Sequence, residues 1–397
     1  MSFGMKRGFL KQTAQEPSSR PVQPRTPQVS GTCQVYSETP YIMVADSMVP
    51  SFLILPSKND ARMAIVHSLD SVQTISKLPL WNDPWPSSPN DLPFEIKRCE
   101  KGMGMFARRA ILQAEVIMRE RAVYVVPHRL GGTPEQIEAF YDESLAGLSP
   151  SARASILSLH NCHPETTGGS HVRGLVQTNA FPISLSHTTG KLCGLFPILC
   201  RANHDCTPNA IYSSLTDSFT AVFRAVRAIA AGEEITVAYT SLTAPRVQRQ
   251  RLLSEQYRFT CSCRTCSLPA VRAGPSDARR QAIGEFLATI PEGTSLARIK
   301  LLLSWAEEEG LVDAAWELCE PGLKIARKEG SHTEAIRFGF SWVKYIRLLE
   351  GDEGLGLGQE TTVSLAGVQA MLDDEHLDDL TRRFATLFPF AFEILMR

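Results

Sequence analysis

The chain has 397 residues, of which 43% are apolar and 21% charged, and its formal net charge at pH 7 is -1. This length gives room for two or three domains with a sizeable core. The near-zero charge excludes a whole-molecule field that would attract nucleic acid or an anionic membrane, so neither partner is expected.

The sequence also indicates the cellular compartment of the protein. No run of about 18 apolar residues occurs, and the N-terminus lacks the apolar stretch of a signal peptide, so an intracellular protein is expected. In a reducing compartment the ten cysteines are expected to be core residues or metal ligands rather than disulfides. Residues 1–37, with five basic residues and one acidic residue, are interpreted as a disordered tail, with a mitochondrial transit segment as the alternative.

Residues 1–93 are predicted to form an N-terminal extension that is partly disordered. Pro, Gln, Ser and Thr dominate residues 1–35, a composition typical of disorder. Apolar residues return over 41–80 and could add strands or a helix. Four prolines in 81–93 indicate a linker, because proline resists both helix and central strand.

A β-rich region is predicted to follow. Short apolar segments separated by turns, one of them at 102–104, indicate strands at 94–96, 105–107, 116–118 and 123–126.

Helical spacing replaces this pattern over 133–160. Thr133 is a predicted N-cap, with Pro134 at the first helical position and Gln136 completing a capping box. A second short helix is predicted over 151–159.

A polar loop, residues 201–209, lies between the apolar runs 192–199 and 210–212. Polar loops positioned by buried elements often carry function. Turn chemistry alone leaves an ordinary Asn- and Pro-containing turn as an equal alternative.

Three thiols occur within six residues, at Cys261, Cys263 and Cys266, after a predicted helix within 241–257. Zinc takes four nitrogen or sulfur ligands, so this loop offers three of them and a fourth must come from elsewhere. Three reduced thiols without metal are the alternative. The remaining candidates lack ligand-pair spacing and are expected to be core or loop residues: Cys162, His163, His171, Cys193 and Cys200.

The C-terminal region, 275–397, has apolar residues at helical spacing throughout. Gly310 is predicted to end one helix, and Ser331 with Glu334 to form a capping box for another. Paired helices suggest a tetratricopeptide-like array that ends with the apolar run 384–396. A partner-binding groove and a cap that only covers the flank of the preceding domain are equally open.

Four segments in this order carry a family resemblance. They are the turn Gly102-Met103-Gly104, the loop Arg201–Asn209, the turn and strand Gly232–Tyr239, and the CxCxxC motif beginning at Cys261. Together they resemble the SET-domain family of S-adenosylmethionine-dependent protein lysine methyltransferases, closest to the SET and MYND branch and its fungal relatives. The resemblance covers roughly residues 94–268.

The resemblance implies an α+β fold, in which small curved sheets surround a pseudoknot and are interrupted by a helical insert. It implies a SET domain at 94–240 with the insert at about 128–174. A post-SET zinc segment at 241–270 and the helical domain at 275–397 would follow.

The resemblance also implies site residues. S-adenosylmethionine would contact Gly102, Met103, Gly104, Asn179, Asn203, His204, Tyr239 and Phe259. Tyr239 and Tyr257 would line the lysine channel as catalytic residues, and Cys206 would be the fourth zinc ligand. A turn asparagine and a core aromatic remain the ordinary alternatives for Asn179 and Phe259.

The implied function is methyl transfer to a lysine of a protein substrate, histone or non-histone, in the nucleus or cytoplasm. Two features depart from the family. Residues 121–159 contain no cysteines, so the MYND zinc finger is absent there, and Asp205 replaces the usual serine. A SET-fold scaffold with little or no turnover, binding a partner through its C-terminal helices, is the alternative. A redox or nucleic-acid zinc protein has little support without a basic field.

Overall fold

The computed structural model describes residues 51–55, 63–67, 91–127, 133–164, 171–183, 192–215 and 218–351. The predicted disordered tail, most of the proline-rich linker and the apolar run 384–396 lie outside the described residues.

The described strands form three small sheets. They are β1 (Ser51–Leu55), β2 (Met63–His67), β3 (Phe94–Cys99), β4 (Gly102–Ala107), β5 (Val116–Arg121), β6 (Tyr124–Pro127), β7 (Phe181–Ile183), β8 (Leu192–Leu195), β9 (Asn203–His204), β10 (Ala210–Leu215), β11 (Thr220–Ala225) and β12 (Glu234–Val237). Their orders are β1-β2-β6-β8-β7, β10-β11-β5 and β3-β4-β12-β9. The four strands predicted between residues 94 and 126 are confirmed. The turn predicted at 102–104 is wrong in its position: the hairpin turn is formed by residues 100 and 101, and residues 102–104, the glycine turn of the sequence, begin β4.

Pairing in the sheets is antiparallel apart from two short contacts, β2 with β6 and β9 with β12. The parallel β9–β12 pair joins the polar central loop to a strand that comes 30 residues later, since Thr236 pairs with Asn203. Apolar side chains from the sheets form one core, which includes Met105, Phe223 and Ile235. This core fixes the backbone on which the polar loop rests.

The described part of the segment between β6 and β7 holds three helices: α1 (Pro134–Ala146), α2 (Pro150–Leu157) and α3 (His171–Asn179). The predicted capping box of α1 is confirmed, because Gln136 N donates to Thr133 Oγ1 and Thr133 N donates to Gln136 Oε1. Their apolar faces share a second core with β6 and β8. Helix α3 runs across position 174, the expected end of the insert, and the chain re-enters the sheet at Phe181.

Among residues 238–351, which the structure describes, five helices follow β12: α4 (Arg246–Tyr257), α5 (Ala270–Thr289), α6 (Leu296–Glu308), α7 (Val312–Lys328) and α8 (His332–Leu349). From α5 onward each helix packs against the next. None of the described helices is long and apolar enough to span a membrane.

The predicted capping box of α8 is wrong. Ser331 is the N-cap residue, but its side chain makes no capping hydrogen bond. Glu334 is engaged elsewhere, since its carboxylate pairs with Lys300 of α6 at 2.7 Å. The sequence pattern could not show that a lysine of another helix competes for this carboxylate.

Gly310 lies just past the end of α6, with a φ of +68°, as the helix-stop prediction requires. The end of α8 packs on the sheets, where Leu349 contacts Ile211 and Val226 in a small apolar cluster. Arg224 Nη2 also donates to Glu350 O at 3.1 Å. The C-terminal helices are thus attached to the β-rich region by buried contacts.

Candidate active site and metal centre

The strand order β4-β12-β9 brings three separate motifs to one place. Glu234 of β12 pairs with Phe106 of β4, and two residues later Thr236 pairs with Asn203 of β9. The glycine turn, the polar loop and the residues leading to Tyr239 are therefore adjacent. Phe106 and Glu234, which are 128 residues apart in sequence, are thus neighbours in one sheet.

Two glycines shape the turn at the start of β4. Gly102 has a φ of +102°, which an L-residue rarely adopts. At Gly104 a Cβ atom would lie 2.9 Å from the Phe106 ring and 3.1 Å from Asn203 Nδ2. Glycine at this position thus allows the turn to approach the central loop closely.

Asn203 connects the turn to β12. Its Nδ2 donates to Met103 O at 3.2 Å and to Glu234 Oε1 at 2.8 Å. The other carboxylate oxygen of Glu234 accepts from Lys101 Nζ at 2.7 Å. The amide orientation is thereby fixed, because both donors have acceptors on neighbouring elements.

His204 lies between the aromatic residues and the thiols. Its Nδ1 accepts from Tyr239 N at 3.0 Å, and its Nε2 is 3.3 Å from Cys206 Sγ. A backbone N–H can only donate, so Nδ1 carries no proton and Nε2–H faces the sulfur. Burial lowers the pKa of His204 to about 3, which keeps the ring neutral.

Three aromatic residues gather next to His204. The ring centroids of Tyr239 and Tyr257 are 4.8 Å apart, and Phe259 lies 6.5 Å from Tyr239 and 6.4 Å from Tyr257. Burial raises the pKa of both tyrosines well above the ordinary value, so each keeps its hydroxyl proton at neutral pH.

The two hydroxyls differ in their partners. Tyr239 Oη donates to Ala202 O at 2.8 Å. Tyr257 Oη is buried and has no hydrogen-bond partner among the described residues. A buried unpaired hydroxyl is unusual and calls for a ligand or an ordered water.

Asn179 stands apart from this group. Its Nδ2 donates to His160 O at 2.7 Å and to Leu175 O at 2.9 Å, so both amide protons are used within the insert. Among the described residues it hydrogen-bonds to none of the other predicted site residues.

The four predicted metal ligands come together. Cys206, Cys261, Cys263 and Cys266 are buried, and their Sγ atoms all lie within 4.8 Å of one another. Zn–S bonds of about 2.3 Å in a tetrahedron need Sγ atoms about 3.8 Å apart, so the cluster fits zinc. Four protein ligands leave no open position, which is typical of a structural rather than a catalytic zinc.

Two fully buried arginines border the thiols. Arg249 of α4 donates from Nε to Cys206 Sγ at 3.3 Å. Arg280 of α5 donates from Nη1 to Cys206 O at 3.1 Å, and from Nε to Glu309 Oε2 at 3.0 Å. Sequence reasoning missed these roles because arginine at helical spacing ordinarily indicates a solvated face. Burial here follows from tertiary packing.

Asp205, the departure from the family pattern, turns back into its own loop. Its Oδ1 accepts from Thr207 N at 2.8 Å. Burial raises the pKa of this carboxyl to about 6.

The ion pair between Lys101 and Glu234 was not predicted from the sequence. Lys101 lies beside the glycine turn and Glu234 begins β12, so both charges were visible, but their pairing was not.

The sequence of the chain also matches known proteins. The family model described as SET domain matches residues 102–240. "Histone-lysine N-methyltransferase set5" of Schizosaccharomyces pombe is 31% identical over 264 residues, which are 64% of this chain and 77% of that protein. The chain belongs to the SET-domain family of protein lysine methyltransferases.

Other relatives of the SET-domain protein match shorter stretches. "Histone-lysine N-methyltransferase ASHR1" of Arabidopsis thaliana is 34% identical over 140 residues, 33% of this chain and 28% of that protein. "Histone-lysine N-methyltransferase Smyd1" of Mus musculus is 34% identical over 109 residues, 24% of this chain and 22% of that protein. The chain therefore matches less than a third of these two relatives' length.

The SET-domain match includes the glycine turn, the central loop and Tyr239. Tyr257, Phe259 and the CxCxxC cysteines lie beyond its end. Their proximity to the central loop is a feature of this structure.

Proposed function

We propose that this SET-domain protein transfers methyl groups from S-adenosylmethionine to a lysine side chain of a protein substrate, histone or non-histone. The observation that carries the proposal is the convergence of the glycine turn, Asn203 and Tyr239 through the strand order β4-β12-β9. A protein of this activity is proposed to act in the nucleus or cytoplasm.

The cofactor would lie against the glycine turn. Gly102 and Met103 are exposed there, and Gly104 is buried against Asn203, which brings this backbone close to the central loop. Asn203 retains an unshared carbonyl lone pair beside the turn, and His204 contributes its backbone. Phe259 offers an aromatic face, and Asn179 is included at the edge of the site. When bound, S-adenosylmethionine supplies a methyl group on an electrophilic sulfonium.

The tyrosines are proposed to prepare the lysine amine. A free lysine has a pKa near 10.4, and a channel walled by aromatic rings lowers it, since burial disfavours the ammonium form. The Tyr257 hydroxyl, unpartnered among the described residues, is available to hold the amine. Tyr239, whose hydroxyl is fixed by Ala202 O, would hold that hydroxyl near the transferred methyl and orient the amine.

No residue of the site is assigned as a general base. Both phenols keep their protons at neutral pH, because burial raises their pKa values. Rate would come from alignment of the neutral amine and from placed dipoles.

Zinc is proposed to be structural. Bound by Cys206, Cys261, Cys263 and Cys266, it would tie the post-SET segment to the central loop. Tyr257 and Phe259 immediately precede the three linked cysteines, so the metal would hold them against Tyr239 and perform no chemistry itself.

The C-terminal helices are proposed to act first as a cap on the β-rich region. The cluster of Leu349 with Ile211 and Val226 supports this role, because it buries the end of α8 on the sheets. Binding of a protein partner to these tetratricopeptide-like helices is proposed as their second role.

The test is transfer of isotope-labelled methyl from S-adenosylmethionine to proteins of a cell lysate, followed by hydrolysis and identification of methyl-lysine. Wild-type protein should label lysine, and Tyr239→Phe should lose most transfer while keeping fold and zinc. Tyr345→Phe, which loses a hydroxyl contact to Glu307 in the distant helices, is the matched control. Equal labelling by wild type and Tyr239→Phe would overturn the assignment.

A further inference from the structure

A zinc ion held by four thiolates carries a net charge of -2, since each bound cysteine is deprotonated. All four cysteines here are buried. A buried uncompensated charge is costly, so a stable centre needs donors or cations around the sulfurs. Residues packed against the four cysteines must supply these donors or cations.

Arg249 is in direct contact with two of the sulfurs. Its side chain is 0% exposed. Nε donates to Cys206 Sγ at 3.3 Å, and Nη2 is 4.0 Å from Cys266 Sγ. Nη1 donates to Ala244 O and lies 3.7 Å from Asp277 Oδ1, so the far edge of the guanidinium is also held.

Arg280 supports the same loop from the other side. It is also 0% exposed, and its Nη1 donates to Cys206 O at 3.1 Å and Leu242 O at 2.8 Å. Its Nη2 donates to Thr207 Oγ1 at 3.2 Å. The backbone of one metal ligand and the side chain of the next residue are thus fixed by one guanidinium.

Glu309, just past the end of α6, orients Arg280. Its Oε2 accepts from Arg280 Nε at 3.0 Å and from Ser276 Oγ at 2.6 Å. Its Oε1 accepts from Arg279 Nη2 at 2.6 Å. Glu309 thus pairs with both Arg279 and Arg280, and its contact with Arg280 Nε leaves Nη1 and Nη2 of Arg280 directed at the cysteine loop.

We infer that Arg249 and Arg280 are positioning residues that retain the zinc, Arg249 by offsetting the thiolate charge at Cys206 and Cys266, and Arg280 by holding Cys206 O and Thr207 Oγ1. Arg280 belongs to α5, so the C-terminal helices are an integral part of the metal centre rather than a separate module. The inference rests on the proposed zinc site.

The test measures zinc content and zinc release from the purified full chain. Metal analysis gives the content, and an excess of a chromogenic chelator gives the release rate. Arg249→Met and Arg280→Met should each release zinc about 10-fold faster than wild type or more, as expected for residues that orient metal ligands. Arg279→Met should stay within about 2-fold of wild type, because Arg279 touches Glu309 but no residue of the cysteine loop.

The outcomes separate the two proposals. If the purified wild-type protein contains no zinc, both the proposed zinc site and the inference about the arginines are overturned. Zinc in the wild type with equal release from Arg249→Met, Arg280→Met and Arg279→Met overturns the arginine roles alone. If the methionine variants do not fold, Arg249→Lys and Arg280→Lys are compared with Arg279→Lys. Lysine keeps the charge but loses the fork of donors, so faster release is expected from the first two, and wild-type rates in both contradict the inference.

Discussion

The hydroxyls of Tyr239 and Tyr257 lie in the same aromatic cluster but differ in their hydrogen bonds. Tyr239→Phe removes the bond to Ala202 O and is expected to lower the free energy of unfolding by about 1 kcal/mol. Tyr257→Phe removes a buried hydroxyl without a described partner, so stability should stay equal or rise.

Urea denaturation of the two variants checks this difference. Methyl transfer measured on the same samples separates function from stability, because Tyr257→Phe should impair transfer without destabilising the fold. A destabilisation of Tyr257→Phe as large as that of Tyr239→Phe would show that the hydroxyl has a structural partner.

Gly104 allows the glycine turn to approach Asn203. Gly104→Ala places a Cβ atom 2.9 Å from the Phe106 ring and 3.1 Å from both Asn203 Nδ2 and Glu234 Oε1. Asn203 must then shift, and S-adenosylmethionine binding is expected to weaken by about 10-fold or more, as for loss of a well-placed contact. Binding calorimetry measures it.

Gly274→Ala is the matched control for this substitution. Apart from its neighbours in the chain, no atom lies within 4 Å of the Cβ position at Gly274, which is inside α5. Alanine there should leave cofactor binding unchanged, and its gain in helix propensity is opposed by the next residue, Pro275, which disfavours a helical residue that carries a Cβ. Equal binding by both alanine variants would contradict the cofactor position.

Two helix starts provide a comparison at the scale of elements. Thr133→Ala removes the half of the capping box of α1 in which Gln136 N donates to Thr133 Oγ1, and should destabilise the protein by about 1 kcal/mol. Ser331→Ala should change stability by less than about 0.5 kcal/mol, since Ser331 makes no capping bond. Thermal unfolding of the two variants tests this. A larger effect at Ser331 would mean that Ser331 caps α8, as the sequence predicted.

A short 3₁₀ helix, Leu199–Arg201, leads into β9 and begins against Glu120. The Glu120 carboxylate accepts from Ile198 N and Leu199 N, both at 2.8 Å. Burial nonetheless raises its pKa from 4.5 to about 7. Between these two values the folded state keeps a proton that the unfolded state has released, so stability falls as pH rises through this window and levels off above it.

Glu120→Gln should remove this pH dependence, because an amide does not titrate. The difference in free energy of unfolding between wild type and Glu120→Gln is measured by urea denaturation from pH 4.5 to 8. The free energy of unfolding of the wild type should fall relative to that of Glu120→Gln as pH rises to about 7. A constant difference over the range would mean that Glu120 ionises normally.

Local patterns predicted most of these elements, for physical reasons. Apolar alternation marked β4 and β5, and the sequence Thr-Pro-Glu-Gln marked the start of α1, since these signals depend on neighbouring residues alone. Side chains that choose distant partners escaped prediction. Glu334 pairs with Lys300 instead of capping α8, and Arg249 is buried against Cys206 instead of being solvated.

At the scale of the whole molecule, the proposed site depends on elements that are far apart in sequence. CxCxxC spacing indicated a metal site, but the fourth ligand, Cys206, came only from the family resemblance. The contribution of α5 through Arg280 could not be read from spacing, because it arises from packing of that helix on the central loop.

Zinc removal is expected to weaken S-adenosylmethionine binding. Without the metal, the loop at Cys206 and the segment that carries Phe259 are no longer bonded to a common ion, so the aromatic contact to the cofactor should weaken. Treatment with a strong chelator, followed by calorimetry before and after zinc is restored, measures the effect. Full affinity in zinc-free protein would show that the metal does not organise the cofactor site.

The central claim is that the glycine turn, Asn203 and Tyr239 form a working S-adenosylmethionine site. Calorimetric titration of the zinc-replete protein with S-adenosylmethionine tests it most directly. Saturable one-to-one binding that weakens in Asn203→Ala and persists in Gly274→Ala is the predicted result. An intact, zinc-loaded protein that does not bind the cofactor would contradict the account and favour a scaffold that acts through its C-terminal helices.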